Sequence, residues 1–217
     1  MNNSVELIGF YGNDELHAGS AWTSTNRDIT PEKRARIPKL LKMLADAGHH
    51  TPFEKSALHF LVTSEIASHI QKIKHRIGVS INGESARYKE LKEDKYYIPT
   101  DWPDEWKQEL ENYTQKGLIL YHKCLESLVN DHGFTKKRAK ESARFFRGYN
   151  TQIDVDIMFN WRSFVHFLTL RASEHSQKEI CAIANTMLYL VSKIEGNPFV
   201  HTIAAFNLKY DENKLLI

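Results

Sequence analysis

Residues 65–88 read EIASHIQKIKHRIGVSINGESARY, and their first half carries a helical hydrophobic pattern. Isoleucines stand at positions 66, 70, 73 and 77, at successive spacings of 4, 3 and 4 residues. Because the α-helix has a period of about 3.6 residues, this spacing predicts a helix over residues 65–77 with the isoleucines on its core face. Ser68, Gln71 and His75 are then expected on the opposite face.

Cations gather at the end of this predicted helix and in the small polar loop expected after it. Lys74, Arg76 and Arg87 fall within 14 residues of one another. Glycine in such a loop lets a ligand approach backbone N–H groups, and arginine can hold an anion with two hydrogen bonds. The cluster therefore predicts a phosphate site. The alternative is a solvated helix terminus, where cations suit the helix dipole.

Standard nucleotide and hydrolase motifs are not matched. The chain contains no Walker loop and no GxGxxG. Residues 83–87, GESAR, are similar to a GxSxG nucleophile elbow that has lost its last glycine. That elbow needs a strand before it, whereas a helix is predicted here, so the sequence disfavours a serine hydrolase.

A second signal comes from the helix predicted over residues 161–174. Its polar side carries Arg162, His166, Thr169 and Ser173. Arg171 falls on the largely apolar side, where a guanidinium is costly to bury unless an anion pairs with it. The partner is either a carboxylate such as that of Glu179 or the phosphate or acidic heterocycle edge of a ligand.

The remaining pattern predicts an α+β fold. Strands are expected over residues 5–10, 58–62 and 153–159. Helices are expected over residues 31–47, 101–132, 135–146, 161–174 and 177–194, with a short last helix after the break at residues 196–198. We expect a single domain over residues 1–217, with long helices packed on a small, mostly antiparallel sheet.

Composition limits the class of protein. The chain has 217 residues with 29 Lys+Arg and 27 Asp+Glu, a formal net charge of +2. A pI of about 8.4 gives little support for nucleic-acid binding. The two cysteines are far apart in sequence, which predicts a protein of a reducing compartment. The sequence shows neither a basic and apolar leader nor a long apolar run, so we expect a cytoplasmic protein without a membrane partner.

The eleven histidines do not form a metal motif. His49 and His50 are adjacent, so their side chains diverge, and no HExxH sequence occurs. We therefore expect no metal site.

The string GHHTPFE at residues 48–54 is explained at Gly48 by a helix C-cap. That interpretation leaves His49 and Glu54 unexplained.

Three blocks of this sequence resemble signatures of the flavin-dependent thymidylate synthases. The first block is GHHTPFE at residues 48–54. The second is His75-Arg76 followed by Ser85-Ala86-Arg87-Tyr88. The third lies in residues 162–180 and includes Arg171-Ala172 and His175-Ser176-Gln177. The order of the blocks is also the family's order. The sequence departs from the family pattern at four places. Lys74 replaces the first arginine of the signature, and eight residues instead of seven separate Arg76 from Ser85. Gly83 replaces a glutamate, and His166 replaces an asparagine that is common in the family.

The resemblance implies an FAD enzyme that methylates dUMP to dTMP. Methylenetetrahydrofolate would supply the carbon, and NADPH would supply reducing equivalents through the flavin. It also implies a homotetramer whose active sites are shared between subunits. The flavin would carry the redox chemistry, and the protein would supply orientation and electrostatic field.

The resemblance also implies site residues. Those for dUMP are Gln71, Glu84, Ser85, Ala86, Arg87, Arg144 and Arg171. Those for FAD are Ser24, Thr51, Glu54, Lys74, His75, Arg76, Ile77, Asn160, His166, Leu170 and His175. Three are expected to act in catalysis: Arg171 would polarise the uracil edge, Ser85 would position dUMP without attacking it, and His49 would lie near folate and flavin.

Two alternatives remain open at this point. The same scaffold could modify a different pyrimidine nucleotide, since Gly83 and the inserted loop residue depart from the family pattern. The chain could also bind flavin or nucleotide without turnover.

Overall fold

The computed structural model describes residues 2–85 and 94–216. Within them the strands are β1 (Ser4–Tyr11), β2 (Ala57–Glu65), β3 (Val79–Gly83) and β4 (Gln152–Phe159). They form a small antiparallel sheet in the order β1-β2-β4-β3. The α+β class expected from the sequence is confirmed.

Eight helices accompany this sheet in the described part of the chain. They are α1 (Asp14–Trp22), α2 (Pro31–Asp46), α3 (Ile66–Lys72), α4 (Asp104–Asn130), α5 (Lys136–Ala143), α6 (Trp161–Arg171), α7 (Lys178–Ser192) and α8 (Val200–Ala205). Short 3-10 turns occur at Thr51–Glu54, Arg144–Phe146 and Glu212–Lys214. None of the helices in residues 2–85 and 94–216 has the length and apolar character needed to cross a membrane.

The chain divides into two compact units. The first contains Met1–Asn3, Thr63–Ile70 and Gly83–Val155, and the second contains Ser4–Val62, Gln71–Asn82 and Asp156–Ile217. The expectation of one domain over residues 1–217 stays a prediction.

The first unit is organised by the long helix α4. Its buried positions are Thr114, Leu118 and Tyr121, which share one face at helical spacing. Gly117 allows the turn at Arg144–Phe146 to approach α4, because a Cβ atom at position 117 would lie 2.6 Å from the carbonyl oxygen of Phe146. The α4 helix also packs on α5, which Thr135 caps by accepting a hydrogen bond from the Arg138 backbone N–H.

The second unit has an aromatic core. The Phe60 ring of β2 stacks on Phe164 of α6 at 5.8 Å between centroids, and Phe159 of β4 lies 5.1 Å from Phe167. All four phenylalanines are completely buried. Helix α7, apolar on most of its surface, packs against both β1 and α6. Burial of these rings fixes α6, and with it the polar side of α6 that faces away from the core.

The structure corrects the expectation for residues 65–77. Helix α3 ends at Lys72, and Ile73 and Ile77 are exposed to 43% and 84%. Ser68 and His75, expected opposite the core, are buried. The four isoleucines therefore do not form one core face. A short apolar pattern can fit both the helical period and the strand period, and here the chain turns at residues 77–78 and continues as the strand β3 from Val79.

Two further elements differ from the sequence-based expectation. Strand β3 occupies residues that were expected to form a polar loop, and α1 was not predicted. Asn13 begins α1, since its side chain accepts a hydrogen bond from the Leu16 backbone N–H at 2.8 Å. Asparagine is a favoured N-cap residue, so a signal for this helix was present in the sequence.

Candidate active site

A cavity of about 530 Å³ lies in the second unit, among the segment after α3, the polar side of α6 and His50. Its lining consists of His50, Lys74, His75, Arg76, Ile77, Val79, Arg162, Ser163, Val165, His166 and Thr169. Three lysine or arginine side chains and three histidines line the cavity, and none of these lining residues is acidic. Such a lining favours an anionic ligand.

The N-terminus of α6 holds one wall of this cavity in place. Asn160 caps the helix by accepting a hydrogen bond from the Ser163 backbone N–H at 2.9 Å, and its own N–H donates to the Gly78 carbonyl at 3.1 Å. Ser163 Oγ donates to the carbonyl of Ile77 at 2.6 Å. Residues 77–78 are therefore tied to the start of α6, which places Lys74 and Arg76 beside its polar side.

Gly78 makes this close approach possible. Its φ is +65°, in the left-handed region, and a Cβ atom there would lie 2.3 Å from Ser163 Oγ and 2.4 Å from Asn160 Nδ2. Only glycine satisfies both the backbone conformation and the space.

Arg171, at the C-terminus of α6, does not pair with Glu179. Its Nε donates to His75 Nε2 at 3.1 Å, and its Nη1 donates to Gln71 Oε1 at 3.2 Å. Its Nη2 also donates to the backbone carbonyl of Gln71 at 3.4 Å. Among the described residues no carboxylate forms an ion pair with this guanidinium, which supports the alternative that it meets an anionic or acidic ligand.

His75 is neutral in this arrangement. Burial, with smaller contributions from the nearby Arg171 and His166, lowers its pKa to about 4. A neutral imidazole can accept the Arg171 hydrogen bond through Nε2, whereas a protonated one cannot. Its ring packs edge-on against Phe167 at 5.1 Å and against His166 at 5.6 Å.

Arg162, which lines the cavity, is held in place by Glu54. Its Nη1 donates to Glu54 Oε1 at 2.5 Å, and the Arg162 side chain is about half exposed at 51%. Glu54 belongs to the turn Thr51–Glu54, so this ion pair connects that turn to α6. Glu54 itself is not among the residues that line the cavity.

The structure gathers part of the predicted FAD set. Lys74, His75, Arg76, Ile77 and His166 line the cavity. Asn160 and Glu54 support it through the contacts given above. The other predicted FAD residues are exposed or partly exposed outside the lining; they are Ser24, Thr51, Leu170 and His175. Their roles stay predictions.

His50 lines the cavity, although the sequence analysis named His49. His49 is exposed, while His50 is partly buried and lies 5.3 Å from the Phe206 ring. The role of His49 stays a prediction. Sequence reasoning also did not name Arg162 and Thr169 as site residues. The signal that could have found them was the polar side of α6, to which both belong.

The predicted dUMP residues are distributed over both units. Glu84, Ser85 and Arg144 belong to the first unit, and Gln71 and Arg171 belong to the second. Arg144 is exposed and begins a 3-10 turn. Ala86 and Arg87 lie outside the described residues. None of these roles is tested by the geometry alone.

No group of three or more His, Cys, Asp or Glu side chains within residues 2–85 and 94–216 is arranged to hold a metal ion.

A family profile described as thymidylate synthase complementing protein matches residues 6–195. The chain belongs to this family. The resemblance found in the sequence motifs is thereby confirmed. The match includes every described lining residue of the cavity.

Curated relatives of this chain have the name flavin-dependent thymidylate synthase. The protein from Pseudothermotoga lettingae is 34% identical over 181 residues, which are 81% of this chain and 79% of that one. The protein from Thermosipho africanus is 34% identical over 187 residues, 81% of this chain and 80% of that one.

A solved structure has a similar fold. The UMP/dUMP methylase PolB from Streptomyces cacaoi, bound with 5-Br dUMP, superposes with a TM-score of 0.78 at 23% identity. The superposition covers 95% of both chains. At this identity the likeness shows a shared fold.

Proposed function

We propose that this protein is a flavin-dependent thymidylate synthase, which methylates dUMP to dTMP. The carbon donor is methylenetetrahydrofolate, and NADPH supplies the reducing equivalents through a bound FAD. The observation that carries this proposal is the cavity with Lys74, Arg76 and Arg162 in its lining and no acidic side chain there. The family and the names of the relatives agree with it.

The residues present fit a flavin dinucleotide. The cavity volume of about 530 Å³ lies within the usual range of roughly 300–1,000 Å³ for small-molecule sites. Its cations suit the two negative charges of a pyrophosphate. Lys74, Arg76 and Arg162 would hold the phosphates, and His166 and Ile77 would flank the ligand. A bound flavin supplies the electron transfer that protein side chains lack.

Arg171 is the residue that we assign to the pyrimidine. A guanidinium has five N–H donors, and the contacts with His75 and Gln71 use three of them. The remaining donors can face the uracil edge or a phosphate oxygen. Because His75 and Gln71 fix the orientation of the plane, the positive charge is preorganised to stabilise an anion that develops on the pyrimidine.

The remaining pyrimidine assignments follow the family motif. Ser85 would bind and orient dUMP, and Ala86 and Arg87 would contribute a backbone N–H and a cation. Gln71, Glu84 and Arg144 complete the proposed dUMP set. His49 would lie near the folate. We assign no proton transfer to Ser85.

Self-association into a homotetramer with shared active sites is part of this proposal. The support is a set of large apolar side chains that are exposed on three strands: Ile8, Phe10, Leu61 and Met158, with exposures from 37% to 48%. These three strands are neighbours in the sheet, and an exposed apolar patch on adjacent strands commonly marks an association surface. We also propose a cytoplasmic location, in keeping with two free thiols, Cys124 and Cys181.

The test is the visible absorption spectrum of the purified protein, before and after addition of dUMP, followed by an assay of dTMP formation with methylenetetrahydrofolate and NADPH. We expect an oxidised-flavin band that shifts with dUMP, and turnover that requires all three substrates. A protein that cannot be reconstituted with FAD would contradict the proposal. A flavin band that shifts with dUMP without dTMP formation would indicate binding without turnover.

UMP should be assayed in parallel with dUMP, because Gly83 departs from the family pattern. A Cβ atom at this position would meet only ordinary contacts, the nearest being His69 Cε1 at 3.7 Å, so the structure does not itself require glycine here. The alternative is modification of another pyrimidine nucleotide on the same scaffold. Methylation of UMP at a rate equal to or above that of dUMP would favour this alternative.

A further inference from the structure

We propose that Gln177 and Glu179 are positioning residues for Arg171, on which they act through the side chain of Gln71. This inference rests on the proposed function, because Arg171 is the residue assigned there to the pyrimidine. The four side chains form a continuous series of hydrogen bonds that runs from a guanidinium to a carboxylate. All four residues belong to the second unit.

Three hydrogen bonds make up this series. Arg171 Nη1 donates to Gln71 Oε1 at 3.2 Å, and Gln71 Nε2 donates to Gln177 Oε1 at 2.8 Å. Gln177 Nε2 in turn donates to Glu179 Oε2 at 2.8 Å. Glu179 is therefore connected to Arg171 through two amides instead of by a direct ion pair.

The two ends of the series fix its direction. A guanidinium can only donate hydrogen bonds, and a carboxylate can only accept them. Each amide between them has an oxygen that accepts and a nitrogen that donates. All three bonds form only when both amides turn their oxygen toward Arg171 and their nitrogen toward Glu179. The carboxylate end thus opposes a rotation of the Gln71 amide that would present its NH₂ group to Arg171.

The Gln71 side chain depends on both of its neighbours in the series. It is partly buried on α3, and within the described residues its amide is bound by Arg171 on one side and by Gln177 on the other. A glutamine side chain loses considerable rotamer entropy when it is fixed in one position. Without Gln177, a single hydrogen bond from Arg171 would have to offset that loss. The Gln71 amide would then leave the guanidinium for part of the time.

The other contacts of Arg171 do not replace this one. His75 accepts from Nε, and the Gln71 backbone carbonyl accepts from Nη2, so both keep the guanidinium in the site. Nη1 loses its protein acceptor whenever the Gln71 side chain moves, and the plane of the guanidinium is then less constrained. Preorganised donors stabilise developing charge because they need no rearrangement at the moment of reaction. The series should therefore affect the rate of the pyrimidine step, and only in part.

The test variant is Gln177→Met, which keeps the length of the side chain and removes both of its hydrogen bonds. Gln177 directly precedes α7, but its side chain makes no capping bond, so the start of that helix keeps its own contacts. The matched control is Gln108→Met on α4. Gln108 is also exposed, and its Nε2 donates to Asn112 Oδ1 at 3.2 Å.

Three quantities are measured on the flavin-containing enzyme. The first is the single-turnover rate of dTMP formation after the reduced flavoprotein is mixed with dUMP and methylenetetrahydrofolate. The second is the Kd for dUMP, obtained from the flavin absorbance. The third is the rate at which NADPH reduces the bound flavin in the absence of dUMP, a step that does not involve the pyrimidine.

For Gln177→Met we expect the single-turnover rate to fall about fivefold, the usual effect of losing one hydrogen bond. The Kd for dUMP should change by less than about twofold, because Gln71 and Arg171 both remain available to the bound nucleotide. Reduction of the flavin by NADPH should be unchanged. Gln108→Met should match the unmodified protein in all three measurements.

Two variants of Glu179 test the acceptor at the end of the series. Glu179→Met removes the acceptor and should lower the single-turnover rate about twofold to fivefold. Glu179→Gln should recover most of that loss, because its amide oxygen can still accept from Gln177 and Arg171 imposes the same direction. Gln177→Met combined with Glu179→Met should be no slower than Gln177→Met alone, since both substitutions interrupt the same series.

A Gln177→Met enzyme that forms dTMP at the unmodified rate would overturn this inference and leave the proposed function in place. An equal fall in flavin reduction by NADPH would overturn it as well, because it would show a general structural effect. Additive losses in the double variant, or a Glu179→Gln enzyme as slow as Glu179→Met, would have the same consequence. If the unmodified flavoprotein itself forms no dTMP, the proposed function fails, and this inference fails with it.

Discussion

Arg171 Nε donates a hydrogen bond to His75 Nε2 at 3.1 Å, across 96 residues of sequence. The bond requires an unprotonated imidazole nitrogen as acceptor, and burial together with the adjacent guanidinium lowers the His75 pKa to about 4. The pair is therefore stable at neutral pH. It fixes the plane of Arg171, the residue on which the proposed pyrimidine chemistry depends.

Replacing Arg171 by lysine should separate charge from geometry. Lysine keeps the positive charge but has no planar group with which to hold His75 and Gln71 at the same time. We expect kcat/KM for dUMP to fall by about 10- to 100-fold, the usual cost of losing a charge-assisted hydrogen bond. Steady-state kinetics measures the fall, and the flavin spectrum should remain.

The control for Arg171→Lys is Arg138→Lys, an exposed arginine on α5 outside the cavity. This variant should have the kinetics of the unmodified protein. Equal activity of Arg171→Lys and the unmodified enzyme would show that orientation of the guanidinium is not needed.

A buried histidine network should make folding stability depend on pH. His17 is completely buried between Thr202 Oγ1 and Ser56 Oγ, each at 2.9 Å, and burial lowers its pKa to about 4. Between pH 6.5 and about 4 the unfolded chain binds a proton at His17 that the folded chain does not. The stabilising effect of the neutral form is complete above pH 6.5 and decreases as the pH falls, by up to about 1.4 kcal/mol per pH unit.

Urea unfolding at pH 7.5, 6 and 5 would measure this dependence for the unmodified protein and for His17→Gln. The variant should be less stable at pH 7.5 because it disturbs the network, and its stability should change less between pH 6.5 and 5. Burial raises the pKa of Asp14, so above its ordinary pKa this carboxyl group lowers the stability of the fold as the pH rises, which is opposite to the effect of His17. Because Asp14 is present in both proteins, the difference between their pH profiles isolates His17. Parallel pH profiles would contradict the assignment.

Gly78→Ala should disrupt the wall of the cavity. The added methyl would meet Ser163 Oγ and Asn160 Nδ2 at less than 2.5 Å, and the positive φ of 65° adds backbone strain. We expect a loss of more than about 2 kcal/mol in unfolding free energy, measured by urea denaturation, together with weaker flavin binding.

Gly196→Ala is the matched control for Gly78→Ala. Gly196 has a similar φ of +70° but nothing within 4 Å of an added Cβ. It should lose only about 1 kcal/mol from the backbone conformation. Equal destabilisation by the two substitutions would show that the close approach to α6 contributes nothing.

Arg162→Ala should weaken binding of the flavin. Arg162 lines the cavity, and Glu54 orients its guanidinium. We expect the Kd for FAD, measured by fluorescence titration of the apoprotein, to rise about tenfold or more. Arg34→Ala is the control, because Arg34 forms a comparable pair with Glu15 at 2.7 Å and does not line the cavity. Similar FAD affinities for both variants would exclude Arg162 as a phosphate ligand.

Much of the fold followed from local sequence signals. Thr30 and Pro31 begin α2, and Gly48, with a φ of +72°, follows its last turn as the cap pattern predicted. The polar side of α6 was also evident from periodicity, and it lines the cavity through Arg162, His166 and Thr169. These features depend on interactions within one or two helical turns, so a single segment contains the information.

Other features were decided only by the tertiary structure. The isoleucine spacing predicted a helix to Ile77, but the chain leaves α3 after Lys72 because Ile77 and Gly78 are hydrogen-bonded to the start of α6. Likewise, the position of Arg171 on the apolar side of its helix predicted that the guanidinium has a partner, but it did not identify that partner.

The sequence by itself determined the α+β class, the capped helices, the cationic composition of the site and the family motifs. The tertiary structure decided that Arg171 binds His75 and Gln71 and that His50 lines the cavity. The physical reason is distance along the chain: Arg171 is 100 residues from Gln71 and 96 residues from His75. Local periodicity carries no information about such pairs, which form only when separate elements pack together.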